Sequence, residues 1–291
     1  MIQKAQAICH GAATIVSAIA TGQGAAFGVD LWTKAQVELT NEPEIIKGEI
    51  TSDPKENTKL IETAVKRVFD HFQETKTGAK VTTWSNIPIA RGLKSSSTAA
   101  NAIILAATAA LGKKLDDKTI INLGVDAAFD AKVTVTGAFD DACAAYFGNA
   151  VVADNLVRKI IKHSNLLQDA TVLFHVPNAK SYTVDTKPEK MEKIKSLVRI
   201  AYNEALKGNY WEALTLNGLI YSASLGFDTK IVSDALEAGA LAAGLCGKGP
   251  ATTVVTTQEK LESVKARLQK YPGEILQSNL NHEKAKVIQL G

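Results

Sequence analysis

The sequence has no paired cysteine motif. Its three cysteines, Cys9, Cys143 and Cys246, are spread along 291 residues without a CxxC spacing. An odd, scattered set excludes a disulfide framework and a Cys-based metal site, and it points to a reducing, cytoplasmic compartment. Long apolar runs are missing too. The alanine-rich start from Lys4 to Ala20 is broken by His10, Gly11, Thr14 and Ser17 before it could act as a signal-peptide core. No stretch of about 18 apolar residues follows, so neither export nor a membrane span is expected. Charge of one sign is not in excess. Thirty-three Lys and Arg against 30 Asp and Glu leave a formal net charge of +3, scattered along the chain, which argues against a nucleic-acid partner. The densest basic run, Arg158-Lys159-Ile160-Ile161-Lys162-His163, alternates with apolar residues like the solvated face of a strand. Two nucleotide-binding signatures are also absent. Gly247-Lys248-Gly249 has neither the spacing nor the hydroxyl of GxxxxGK[ST], and no GxGxxG lies between a strand and a helix.

What is present is the composition of a folded globular protein, with 46% hydrophobic and 22% charged residues. The length suits one large domain or two smaller ones. Ala25 to Leu31 and Ala35 to Leu39 read as short strands, the second by alternation. Leu60, Ile61, Ala64, Val65, Val68, Phe69 and Phe72 fall at three- and four-residue steps and predict an amphipathic helix over Thr58 to Phe72. Val81 to Trp84 reads as a strand, Thr98 to Leu111 as a buried helix, and Asp116 to Ala131 as a helix capped by one of its first two acids. Strands are expected at 150–153, 156–161, 171–175 and 252–256, and helices at 189–207, 210–219 and 258–270. No repeat or low-complexity linker divides the chain. A boundary near Leu166 separates an expected domain 1–165 from an expected domain 166–291, with an extensive interface between them.

The most informative segment is Pro88-Ile89-Ala90-Arg91-Gly92-Leu93-Lys94-Ser95-Ser96-Ser97-Thr98, a loop that feeds a helix start. Gly92 allows close backbone approach, Lys94 adds a positive charge, and the hydroxyls of Ser95, Ser96, Ser97 and Thr98 can bond phosphate oxygens or a magnesium ion. The helix behind them turns its first N–H groups toward an anion. A Ser/Thr run can also do no more than cap a helix. The segment resembles the second motif of the GHMP kinases, PxxxGLGSSAA, on which Pro88, Gly92, Leu93, Ser95 and Ser96 fall. Lys94 stands for a glycine, and Ser97 and Thr98 for two alanines; GLKSSS is the form associated with archaeal-type shikimate kinases. Gly244-Leu245-Cys246-Gly247-Lys248-Gly249-Pro250-Ala251 is similar to the family's third, glycine-rich motif, in which Gly247 and Gly249 would fold a turn over the site. The family's first motif, Pro-Gly-Arg, is missing. The string from His10 to Leu31, with Gly11, Gly22, Gly24 and Gly28, resembles instead the amino terminus of the archaeal shikimate kinases. Read without the family, the same string is a small-residue helix packed on a strand.

That resemblance implies an α+β, GHMP kinase-like two-domain fold, with an amino-terminal domain related to a ribosomal-protein fold and a ferredoxin-like carboxy-terminal domain. It implies ATP as donor, Mg2+ as cofactor and shikimate as acceptor, in the chorismate route to aromatic amino acids, and a monomer or small homo-oligomer. The ATP site would comprise Pro88, Arg91, Gly92, Leu93, Lys94, Ser95, Ser96, Ser97, Thr98, Gly247 and Gly249. Asp140, in Thr136-Gly137-Ala138-Phe139-Asp140-Asp141, matches the family's catalytic aspartate, with Asp141 as its rival. A pair of acids at a helix start is otherwise explained by the helix dipole. Ser96 matches the metal-contacting serine, and Asp130 is the candidate acidic metal ligand, with Asp126 nearby. The cation for an acceptor carboxylate stays open among His10, Lys132, Arg158 and Lys180. Other GHMP acceptors, such as homoserine or mevalonate, and a non-catalytic small-molecule sensor on the same fold are the alternatives.

Overall fold

The computed structural model describes residues 3–89, 91–166, 169–178 and 188–291. Its architecture is mixed α and β, built on two sheets. In the first, β1 (Lys4–Val16) and the long β2 (Gln23–Thr40) form an antiparallel pair, with Ala5 opposite Val37 and Ala7 opposite Ala35. Two separate strands were expected inside β2; the alternation of its second half simply continues a strand whose first half is buried on both faces. On the far side of β2 lie β4 (Gly78–Ser85) and the parallel edge strand β3 (Ile46–Ile50). The start of β2 pairs instead with β5 (Ala150–Asp154), which continues to β6 (Lys159–Ser164).

Four helices accompany this sheet: α1 (Lys59–Phe72), α2 (Ser95–Ala110), α3 (Asp117–Asp130) and α4 (Phe139–Phe147). The stripe read in α1 is the face it buries, with Ile61, Ala64, Val65, Val68 and Phe69 in the core. α2 is buried nearly all round, because it packs against β1 and β2 on one side and α1 and α3 on the other. Small residues fill most of such a helix. Ile103 and Ile104 supply its bulk, each worth about 1.5–3 kcal/mol on full burial. Asn101, fully buried within α2, donates from Nδ2 to the Ala142 carbonyl at 2.9 Å and so ties α2 to α4.

The second sheet is antiparallel, with spatial order β10 (Glu274–Asn279), β7 (Thr171–Val176), β9 (Thr252–Thr256), β8 (Ala242–Leu245). Three helices, α5 (Pro188–Lys207), α6 (Tyr210–Leu225) and α7 (Lys230–Glu237), lie between β7 and β8, and α8 (Leu261–Leu268) lies between β9 and β10. That succession and strand order make a ferredoxin-like unit. One apolar cluster spans both sheets, joining Ile15, Phe27 and Val29 to Phe174, Leu214 and Tyr221. The division at Leu166 is crossed by the last strand, β11 (Lys286–Leu290), which returns to the first sheet and pairs with β1. No helix among the described residues is long and apolar enough to cross a membrane.

Candidate active site

Two helix starts and one turn meet at a single cavity of about 610 Å³, a size usual for small-molecule sites. The first start is that of α2. Leu93 is sunk in the core and anchors the loop, Lys94 at the N-cap is left-handed (φ 60°), and no side chain caps the helix. Ser95, Ser96 and Ser97 therefore bring uncapped first-turn backbone and three hydroxyls to the cavity wall. Gly92 must be glycine. Its φ is +85°, and a Cβ there would sit 2.8 Å from the carbonyl oxygens of both Cys246 and Gly249. That close approach seats the Gly247–Gly249 turn against the loop that leads into α2, aided by the Ala251 N–H, which donates to the Arg91 carbonyl at 3.3 Å.

The second start is that of α4. Gly137 and Ala138 both have positive φ and swing the chain so that Asp140 and Asp141 enter the protein, 3% and 5% exposed. Asn155, in the turn after β5, grips Asp140 twice. Its Nδ2 donates to Asp140 Oδ1 at 2.7 Å, and its Oδ1 accepts from the Asp140 backbone N–H at 3.1 Å. Burial, reinforced by the neighbouring Asp141 charge, pushes the Asp140 carboxyl up to about 7, against the opposing pull of Asn155 and Lys94. Lys94 bridges the two starts, its Nζ 2.9 Å from Asp141 Oδ2. Burial alone would lower the Lys94 pKa, but Asp141 and its neighbours outweigh it and keep the ammonium charged. The other oxygen, Asp141 Oδ1, is buried without a hydrogen-bond partner.

The cavity thus brings together Gly92, Leu93, Lys94, Ser95, Ser96, Ser97, Asp140, Gly247 and Gly249, with Asp141 beside them. Pro88, Arg91 and Thr98 do not line it. The Thr98 hydroxyl turns back to the Lys94 carbonyl at 3.2 Å, and the Arg91 guanidinium donates to the Pro177 carbonyl, pinning the loop to the end of β7. Asp130 is a correction. Arg67 of α1 holds both its oxygens, at 2.6 and 2.8 Å, and Asp130 does not line the cavity, so the structure does not bring it to the other site residues as the acidic metal ligand. Among the cations considered for a carboxylate, His10 lies 3.2 Å from Asp30 and Arg158 is bonded to Asp126 at 2.7 Å, both outside the cavity; Lys180 falls outside the described residues. Lys132 does line it, at the exposed rim.

Sequence reasoning passes over Thr14, Asn155 and Lys248. Thr14 and Lys248 line the cavity; both stand inside segments the sequence singles out, but nothing there gives either one a role. Asn155 could be found only by its long-range partner. A second cavity of about 120 Å³ adjoins the first through Ser95, Ser96, Ile89 and Val133, with walls that include Ile50, Leu60, Ile61 and Ala99.

Residues 59–149 match the family described as the GHMP kinases N terminal domain. The solved structures of similar shape include the mevalonate kinase of Methanococcus jannaschii (TM-score 0.77, 19% identity, 95% of this chain and 98% of that one). The homoserine kinase of Cytophaga hutchinsonii is another (TM-score 0.75, 15% identity, 99% and 98%). At those identities the likeness establishes the fold. In sequence, the chain is 41% identical over 287 residues to a shikimate kinase of Methanosarcina mazei, covering 98% of this chain and 97% of that one. It is 37% identical over 294 residues to a shikimate kinase of Methanothermobacter thermautotrophicus, covering 99% and 100%. With relatives of that identity along nearly its full length, and with the GHMP motifs meeting at one cavity, the chain belongs to the archaeal shikimate kinase family of the GHMP kinases.

Proposed function

We propose that this protein transfers the γ-phosphoryl group of ATP to a hydroxyl of shikimate, giving ADP and shikimate 3-phosphate, a step toward the aromatic amino acids. The observation that carries the chemistry is Asp140, a buried acid with a carboxyl shifted up to about 7, set on the same cavity as the uncapped start of α2. Phosphoryl transfer needs the anionic donor held and the acceptor hydroxyl oriented and relieved of its proton. The first-turn amides and hydroxyls of Ser95, Ser96 and Ser97 would hold the triphosphate, with Lys94 adding charge. The smaller apolar-walled cavity beside Ser95 and Ser96 suits the base. Asp140 would accept the acceptor's proton, as a base whose pKa lies near neutral pH does best. Asn155 fixes the carboxylate's rotation through the hydrogen bond from its Nδ2, and is itself held by the Asp140 backbone N–H.

Magnesium fits this donor set in a limited way. Among the described residues no three His, Cys, Asp or Glu gather to cage a metal. Magnesium in kinases is held mostly by phosphates and water with one or two protein oxygens, and the Ser96 hydroxyl and the unpartnered Asp141 Oδ1 would be those oxygens here. When bound, it would offset charge on the terminal phosphates.

The acceptor is assigned on the near-full-length likeness to the two archaeal relatives named shikimate kinase. Coupled ADP detection over shikimate, homoserine and mevalonate tests it. We expect the highest kcat/KM with shikimate. A higher value for either of the others would overturn the acceptor and leave the kinase, and no turnover with any would point to the non-catalytic alternative.

A further inference from the structure

We propose that Lys248, with Thr14 beneath it, forms the subsite that recognises the carboxylate of the acceptor and so selects an acidic alcohol over a neutral one. This rests on the kinase reading above and adds the residues that choose the substrate.

Among the described residues, three lysines line the large cavity: Lys94, Lys132 and Lys248. Lys94 is paired with Asp141 at 2.9 Å and sits at the start of α2, on the donor's side of the cavity in the reading above. Lys132 is exposed at the rim, where water screens its charge. Lys248 is half-buried on the turn between Gly247 and Gly249, and among the described residues no carboxylate lies within ion-pair distance of it. The charged neighbour it feels is Lys94. Burial first, and then that like charge, pull its pKa down. A half-buried cation with only another cation for company is stabilised by whatever anion enters.

Thr14 makes the same request for a ligand. Its hydroxyl is buried, 2% exposed, without a hydrogen-bond partner, and Thr14 lines the same cavity. A Cβ built on Gly247 would lie 3.7 Å from that hydroxyl oxygen, which places Thr14 directly under the turn that carries Lys248. A buried hydroxyl without a partner is costly unless something completes it.

A carboxylate is the better fit than a phosphate. The donor's phosphates already have the start of α2, the Ser95–Ser97 hydroxyls and Lys94. The acceptor has to bring its hydroxyl to Asp140, beside the second buried acid Asp141, and an acidic acceptor is repelled there unless a cation answers its own charge. Among the described residues Lys248 is the cavity cation left to do so.

The test is steady-state kinetics on wild type, Lys248→Met, Lys248→Arg and Thr14→Val, with shikimate and its methyl ester, varying acceptor and ATP separately. Calorimetric ADP binding to each variant confirms an intact nucleotide side. Losing one charge-assisted hydrogen bond predicts a rise of about 10- to 100-fold in KM for shikimate in Lys248→Met. The KM for ATP stays within about twofold, and the preference for acid over ester disappears. Lys248→Arg keeps that preference, and Thr14→Val raises the shikimate KM by a smaller factor. Wild-type turnover is read first: if wild type does not phosphorylate shikimate, the proposed function falls and takes this inference with it. If wild type does, an unchanged acid-to-ester ratio in Lys248→Met, or a loss that falls on ATP instead, overturns the inference alone.

Discussion

The starts of α2 and α4 use the same backbone device for opposite ends. Each follows a left-handed residue, Lys94 at φ 60° and Ala138 at φ 49°, and neither helix is capped by its own N-cap side chain. At α2 the first turn is hydroxyl-rich and open, ready for an anion from outside. At α4 the anions are built in, and Asn155 from a distant turn takes the place of a cap. A helix start ordinarily makes a carboxylate more acidic. Asp140 goes the other way, because burial and the adjacent Asp141 charge outweigh the dipole and the Asn155 bond. The lesson is that position on a helix sets which groups meet, while burial and the next charge along set what they do.

The comparison breaks most sharply at Asp140. Asp140→Asn keeps the Asn155 contact but removes the base, so kcat should fall about 10²- to 10⁴-fold with ADP binding intact, read by single-turnover kinetics. Because the folded carboxyl is shifted up, the native state holds this proton more tightly than the unfolded chain. Its ionisation therefore costs stability as pH climbs from the ordinary carboxylate range through about 7. Asp140→Asn should consequently unfold at an equal or higher temperature than wild type at pH 8; a clear drop would contradict the assigned shift.

Next in size is Lys94→Met, which strands Asp141 as a buried, unpaired charge. Breaking such a pair costs about 3–5 kcal/mol, and denaturant titration should show most of it returning in Lys94→Met combined with Asp141→Leu. Additive losses would mean the 2.9 Å bridge does not couple the two helix starts.

A smaller effect sharpens the contrast in charge. kcat/KM should rise with pH through about 7 in wild type as Asp140 ionises. Asp141→Asn removes a charge that raises that pKa, so its acid limb should move to lower pH, with a much milder loss of kcat than Asp140→Asn. Equal or reversed losses would shift the base to Asp141.

Ser96→Ala should scarcely touch folding, within about 0.5 kcal/mol, since no side-chain cap bond is lost. Turnover at limiting magnesium should fall about tenfold or more, the size of one lost bond to a charged group. Unchanged magnesium dependence would remove Ser96 from the metal's ligands.

How much of this could be read beforehand follows from where the signal lies. α1 is found within a residue because one face alone is buried, and the loop into α2 because it carries a spaced motif. β1 escapes because its second half, Cys9 to Val16, is buried on both faces and shows no alternation, so Ala12, Ala13 and Thr14 look helical. β11 escapes for the reverse reason, being exposed along its whole length. In the site, Asp140 lies in a recognisable segment. Its partner Asn155 and the ion pair that withdraws Asp130 to Arg67 are tertiary facts with no local trace.

The return of β11 to β1 sets an order of events in synthesis. β1 waits for the far-distant residues of β11 to cover its free edge, Ala5 meeting Leu290. The segment leading into β11 also braces α4, the helix that carries Asp140. The Ala285 N–H donates to the Tyr146 carbonyl at 2.7 Å, and the Asn281 carbonyl accepts from the Asn149 N–H at 2.8 Å. Such long-range closure is slow. A nascent chain that has already emitted the Arg91–Ser97 loop and both acids therefore still lacks the brace behind α4 until residues 281–290 have been made.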